Sequence, residues 1–172
     1  MRISSAISHA RRDCGVIAFA GLEFMDASLP TRITAVLQAQ HLMALSTLRH
    51  DGFPHTTWVN YVHDGFTLYF ASDAASQKAG NIARNPKVSA AISTETENFC
   101  KLQGLSLSGL AHRIKDQDEE SRIALELFRR LPQSRRFVPQ DPQSLAVFAI
   151  KPVAISLIDY AQGFGRSFLL EL

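Results

Sequence analysis

The chain has 172 residues, 46% of them apolar, and a formal net charge of +2. That length and apolar share suit one globular domain with a sizeable core and leave little room for a second. So small an excess of cations does not by itself indicate a nucleic-acid partner, and no apolar run approaches the roughly 20 residues of a membrane-spanning helix.

The first 24 residues, MRISSAISHARRDCGVIAFAGLEF, combine Arg2, Arg11 and Arg12 with a short apolar run from Val16 to Phe24 broken by Glu23. A secretory signal sets a basic start before about 7–15 apolar residues and a small-residue cleavage site, and no such site follows cleanly. Residues 1–24 are therefore read as an N-terminal extension, disordered or preceding a true start at Met25, with one domain over 25–172. Cys14 and Cys100 lie far apart, with no C-x-x-C and no accompanying histidine pattern. That spacing indicates a reducing, cytoplasmic setting, with neither a zinc site nor a disulfide scaffold.

A helix is expected from Ser28-Leu29-Pro30, with Ser28 as its cap and Pro30 in its first turn. Ile33, Val36, Leu37 and Gln40 share one face of it. Strands follow at 41–48, 53–62 and 66–71, joined at Asp51-Gly52 and His63-Asp64-Gly65. Asp-Gly between β-rich runs is a hairpin signal, so these three strands read as an antiparallel meander. A short helix from Ser76 to Ala83 is ended by Asn85-Pro86, because the residue before proline is pushed out of the helical region.

Strands at 87–94 and 104–114 come next, then a helix over Asp116–Arg130 with an acidic first turn and a basic end, as the helix dipole prefers. A proline-rich loop (Pro132, Pro139, Pro142) leads to a long strand at 145–159 bent at Pro152. The terminal FLLEL is read as a closing edge strand. Six or seven strands with short turns and flanking helices make a mainly β, α+β antiparallel barrel.

The segment SDAASQKAGNIARNPKV (72–88) sets a hydroxyl, Ser76, and an amine, Lys78, at a helix start. Unpaired backbone N–H groups and the dipole make such an end attractive to anions. Set against this is a plain serine cap with a solvated lysine. No H-E-x-x-H or G-x-S-x-G occurs, so no metal or nucleophile constellation can be named. Arg129, Arg130, Arg135 and Arg136 read as a solvated helix end and loop. Gly163-Phe164-Gly165 reads equally as a plain turn or as a segment that closes over a ligand or packs on a partner subunit.

Residues 44–92 carry, in order, a D-G turn, a G-x-P-H entry, a second D-G turn, L-Y-F, S-x-K, N-x-x-x-N-P and V-S-A-A-I, and GLSLSGLAHRI follows. In this order they resemble the FMN-binding split barrels, the superfamily of pyridoxamine 5′-phosphate oxidase, over about residues 29–160. The D-x-x-x-G-F-G finish is similar to that of a small bacterial subgroup. The resemblance implies a split barrel, FMN as cofactor, and a homodimer with cofactor sites at the subunit interface.

It also implies site residues. Ser76 and Lys78 would grip the FMN phosphate, with Gln77 where the oxidases have arginine. His55 and Asn60 end the stretch HTTWVN, where the oxidases place basic residues, so phosphate neutralisation is weaker here. Thr56, Thr57 and Trp58 would line the flavin, Trp58 being otherwise a core residue. Phe70 and Ala71 stand in the place of Tyr and Thr, and Gln103 lies next to the position of a cofactor-binding glutamine. No counterparts exist for the residues that hold pyridoxal phosphate, so a true pyridoxamine-phosphate oxidase is not expected. The expectation is an FMN-dependent oxidoreductase acting on an unidentified small molecule, with no nucleic-acid or membrane partner. The alternatives are a flavin or haem binder without catalysis, a cofactor-less dimeric relative, or use of the deazaflavin F420.

Overall fold

The computed structural model describes residues 28–133, 144–163 and 165–172. The N-terminal extension, the proposed start at Met25, Arg135, Arg136 and Phe164 lie outside them. In chain order the elements are α1 (Leu29–Ala39), β1 (Leu42–Leu48), β2 (Pro54–Asn60), β3 (Val62–Asp64), β4 (Thr67–Asp73), α2 (Gln77–Arg84), β5 (Lys87–Ser93), β6 (Gln103–Arg113), α3 (Gln117–Arg130), β7 (Leu145–Asp159) and β8 (Ser167–Glu171). The strands form one antiparallel sheet in the order β2-β1-β5-β6-β7-β4-β3, with β8 paired to the second half of β7. This is the expected split barrel with flanking helices.

Alternation decides the strands. In β5 every second residue is buried (Val88, Ala90, Ile92), and β6 does the same with Leu105, Leu107, Gly109 and Ala111. These side chains fill the inside of the curl against Ile33, Val36 and Leu37 of α1. A smaller cluster lies under α3, where Ile123 and Leu127 meet Val62, Val147 and Ala149. The acidic start and basic end of α3 are as expected, and Asp116 caps it by accepting from the Glu119 amide at 2.8 Å.

The meander needs correction. β1 and β2 form one hairpin and β3 and β4 another, but β2 and β3 stand at opposite ends of the sheet path. The break falls at Tyr61, whose amide donates to the His41 carbonyl at 2.9 Å and whose hydroxyl donates to the Leu37 carbonyl at 3.1 Å. The ring is fully buried, and this burial pushes its phenol well above the ordinary tyrosine value. The chain turns a corner there, and β2 comes to lie against β4 without sharing a ladder with it. That unladdered seam is the split of the barrel.

Smaller departures have local causes. Ser28 does not cap α1 with its side chain; its hydroxyl bonds that of Thr31 instead. Gln40 lies beyond the helix in extended backbone and so leaves the buried face. Arg130 is exposed, as expected, and its Nη2 also donates to the Gln38 and Gln40 carbonyls at 2.6 and 2.8 Å, closing the C-terminal end of α1. Cys100 is disulfide-bonded, which removes the support that cysteine spacing gave to a reducing compartment. The bend of β7 at Pro152 coincides with a register shift after Ser108, where Gly109 faces Pro152. A Cβ on Gly109 would stand 2.7 Å from the Lys151 carbonyl oxygen, so only glycine allows this approach.

Candidate functional site

The last inward residue of β4 is Ser72, directly before the turn into α2. Asp73 shapes that turn by accepting from the Ala75 amide at 2.7 Å. Ser76 is then placed as the cap of α2, accepting from the Ala79 amide at 3.3 Å. Its hydroxyl also lies 3.1 Å from that of Ser72, and Lys78 Nζ donates to the Ser72 hydroxyl at 3.1 Å. The ion pairs among the described residues are Arg32–Asp159 and Arg49–Asp51, so the half-buried Lys78 ammonium has the Ser72 hydroxyl beside it and, among those residues, no carboxylate. A cation so placed at a helix start leaves a negative charge wanting.

α2 spans the seam. Its first turn is bonded to Ser72 of β4, and its second, through Asn81, reaches β1. The fully buried Asn81 donates from Nδ2 to Thr47 at 3.0 Å and accepts from Arg84 at 2.7 Å. Thr47 is the cross-strand partner of His55, whose carbonyl accepts from the Thr47 hydroxyl at 3.3 Å. The inward side of β2 therefore brings His55 and Thr57 to the level of α2. His55 Nδ1 and Thr57 Oγ1 are shielded from solvent and bonded to nothing. Buried polar atoms without partners are costly, each about 1–3 kcal/mol, and mark a place where a polar ligand group fits.

Of the residues expected from sequence, Ser76, Lys78, His55 and Thr57 are thus gathered around the seam. Gln77 is on the same turn but exposed. Thr56, Trp58 and Asn60 point to the other side of β2, where Thr56 bonds Ser46 at 2.7 Å. Trp58 is 70% exposed, which overturns its reading as a core residue. Phe70 is buried in the core and stacked on Phe148 with centroids 5.1 Å apart, and Ala71 packs toward α3; neither side chain joins the cluster. The hydroxyl that does is Ser72, one position further on. Counting back from Ser76, instead of forward along the strand, would have found it.

Gln103 lies at the other end of β7. Ser72 pairs with Ala146 at the start of β7, whereas Gln103 pairs with Asp159 at its finish. There its Nε2 donates to Asp159 at 3.2 Å, and Asp159 also takes Arg32 at 2.5 Å. The guanidinium is covered by the Phe168 ring, 5.0 Å from its centroid. Arg32 was not singled out in the sequence, and Asp159 entered only as the first residue of the D-x-x-x-G-F-G finish, with no role given to it. Gly163 and Gly165 both take positive φ, 124° and 72°, as the turn reading of that segment requires.

A split barrel whose seam is bridged by a helix beginning Ser-x-Lys defines the class of protein. The family model for pyridoxamine 5′-phosphate oxidase matches residues 29–159, and the chain belongs to that family, in the split-barrel superfamily. General stress protein 26 of Bacillus subtilis (strain 168) is 24% identical over 132 residues, 74% of this chain and 86% of the relative. A heme binding protein of Mycobacterium smegmatis shares the fold at TM-score 0.72 and 16% identity, over 84% of this chain and 58% of that one. An FAD-binding protein of Mesorhizobium loti does so at TM-score 0.64 and 19% identity, over 76% and 94%. Among the described residues no helix is long and apolar enough to cross a membrane.

Proposed function

We propose that this chain binds FMN at the β2–β4 seam and serves, as a homodimer with its cofactors at the subunit interface, as an oxidoreductase for a small organic substrate. The observation that carries the reading is the Lys78 ammonium, bonded to the Ser72 hydroxyl at the start of α2 with no carboxylate among the described residues to neutralise it. A phosphomonoester carries about −1.5 to −2 charges at neutral pH and accepts several hydrogen bonds. Lys78, Ser72, Ser76 and the first amides of α2 suit it, and His55 Nδ1 and Thr57 Oγ1 remain to meet further polar groups of the same ligand. The redox chemistry in such a protein belongs to the flavin ring; the chain's part is binding, orientation and exclusion of water.

Haem is the second reading, supported by how few cations stand at the seam and by the name of the mycobacterial neighbour. The absorption spectrum of the purified protein tests both: the paired near-visible bands of oxidised flavin are expected. A Soret band transfers the seam to haem, and a colourless protein that takes up no riboflavin phosphate on titration ends both. With flavin bound, rapid reduction by NADH or NADPH supports the oxidoreductase; a flavin that no nicotinamide reduces indicates storage or sensing.

A further inference from the structure

α2 is a short cut across the seam. Along the sheet, Ser72 of β4 and His55 of β2 are separated by four intervening strands, β7, β6, β5 and β1. Twist accumulates over those ladders, so strand pairing alone sets the distance across the seam only loosely. The direct connection is a chain of side-chain bonds from α2 to β2. Arg84 Nη2 donates to Asn81 Oδ1 at 2.7 Å, Asn81 Nδ2 to the Thr47 hydroxyl at 3.0 Å, and that hydroxyl to the His55 carbonyl at 3.3 Å. An arginine has donors alone, so the amide oxygen of Asn81 faces it and the amide nitrogen is left to Thr47. The hydroxyl then has its own hydrogen free for His55. Asn81 and Thr47 are both buried. Ala79 and Ile82, close by on the helix, pack in the core and already hold α2 to the sheet. Apolar contact of that kind resists separation but tolerates sliding, whereas buried and satisfied hydrogen bonds fix one register.

We propose that Asn81 is a positioning residue, which holds the two halves of the seam at the one spacing that lets a single ligand engage both. This rests on the FMN binding proposed above. One half is Ser72, Ser76 and Lys78 at the start of α2, furnished for a dianion. The other is the pair of shielded, unbonded atoms on β2, His55 Nδ1 and Thr57 Oγ1. Each half alone is a weak site. A ligand that carries a phosphate and a hydrogen-bonding body on one skeleton gains from both, as far as the halves are held at a matching distance. The ligand class selected is thus a phosphomonoester joined to a larger polar group. Free phosphate meets one half, and the same body without its phosphate meets the other. Asn81 is buried, with its bonds spent inside the chain, and acts through the elements it joins.

The double variant Thr47→Val with Asn81→Leu removes both partners of the central bond and sets apolar groups of similar shape in their place, an exchange that leaves stability nearly unchanged. Fluorescence titrations of the full chain with FMN, with riboflavin, and with inorganic phosphate as a competitor of FMN are the test. The expected result is an FMN dissociation constant raised about tenfold or more, with those of riboflavin and phosphate within about twofold of the parent chain. Thr47→Ser, which keeps the hydroxyl, should keep the parent's FMN affinity. Should the double variant fail to fold by circular dichroism, Asn81→Ser carries the same expectation, because its side chain is too short to reach Thr47. A parallel loss of all three ligands gives Asn81 a general structural role and overturns the inference, and so does an unchanged FMN affinity. Both of those results leave FMN binding standing. A parent chain that takes up no FMN overturns the proposed function and this inference with it.

Discussion

The two ends of β7 treat charge in opposite ways. At its finish, Asp159 is buried with Arg32, bonded by Gln103 and by the Ala161 amide, and roofed by Phe168. At its start, across Ser72, Lys78 is half-buried with no anion among the described residues beside it. A cation matched within the chain ties elements together, here α1, β6, β7 and the segment leading to β8. One left unmatched beside a helix start and unbonded polar atoms is furnished for something that arrives from outside. Residue type alone does not separate an arginine that fastens from a lysine that binds; the partner does.

That contrast can be broken by substitution. Asp159→Ala leaves a buried guanidinium unpaired and should cost about 3–5 kcal/mol of stability in urea unfolding, with cofactor affinity of the folded fraction unchanged. A loss under about 1 kcal/mol would show the pair to be solvated. Lys78→Ala should do the reverse, weakening FMN at least tenfold, about 1.4 kcal/mol, in a fluorescence titration. Its effect on stability should stay within about 0.5 kcal/mol. An unaltered dissociation constant would take Lys78 out of the site.

Ser76→Ala sits between these two, because it removes both a helix cap and a ligand contact. About 1 kcal/mol of stability should go with it, and affinity should fall by less than in the lysine variant. Alkaline titration gives the smallest effect and probes the corner that sets the seam. The Tyr61 phenol is held above its ordinary value by burial, so the folded state retains a proton that the unfolded chain loses. Stability from this source is intact below about pH 10 and declines as pH climbs beyond it. Midpoints of thermal unfolding between pH 8 and 11 should show that decline, and Tyr61→Phe should flatten it.

Much of the fold could be read from residue order. The long strand Leu145–Asp159, the end of α2 before Pro86, and the polarity of α3 at its two ends each follow from local chemistry, and the structure repeats them. The order of strands in the sheet could not. The alternation of β2 runs on through Tyr61 with no turn residue to interrupt it, so nothing local says that the next strand departs to the far side of the barrel. Of the candidate site, the pairing of Ser76 and Lys78 at the start of α2 was legible because its signal is contiguous. Ser72 was missed by one position. Gln103 stands at the other end of β7 from Ser72, because nearness to a family position in sequence says nothing about which end of a strand a residue occupies. The Arg32–Asp159 pair joins residues 127 positions apart, a separation that no window of sequence spans.

β7 is bordered by β6 along nearly its whole course, by β4 along its first part and by β8 along the rest. A strand flanked in this way has hardly an amide left facing water. In deuterated solvent its backbone protons should be the slowest of the chain to exchange, giving up their label only when the molecule opens entirely. The seam helix α2, held by a few side-chain bonds, should exchange sooner, so the seam can breathe while the spine of the sheet stays shut.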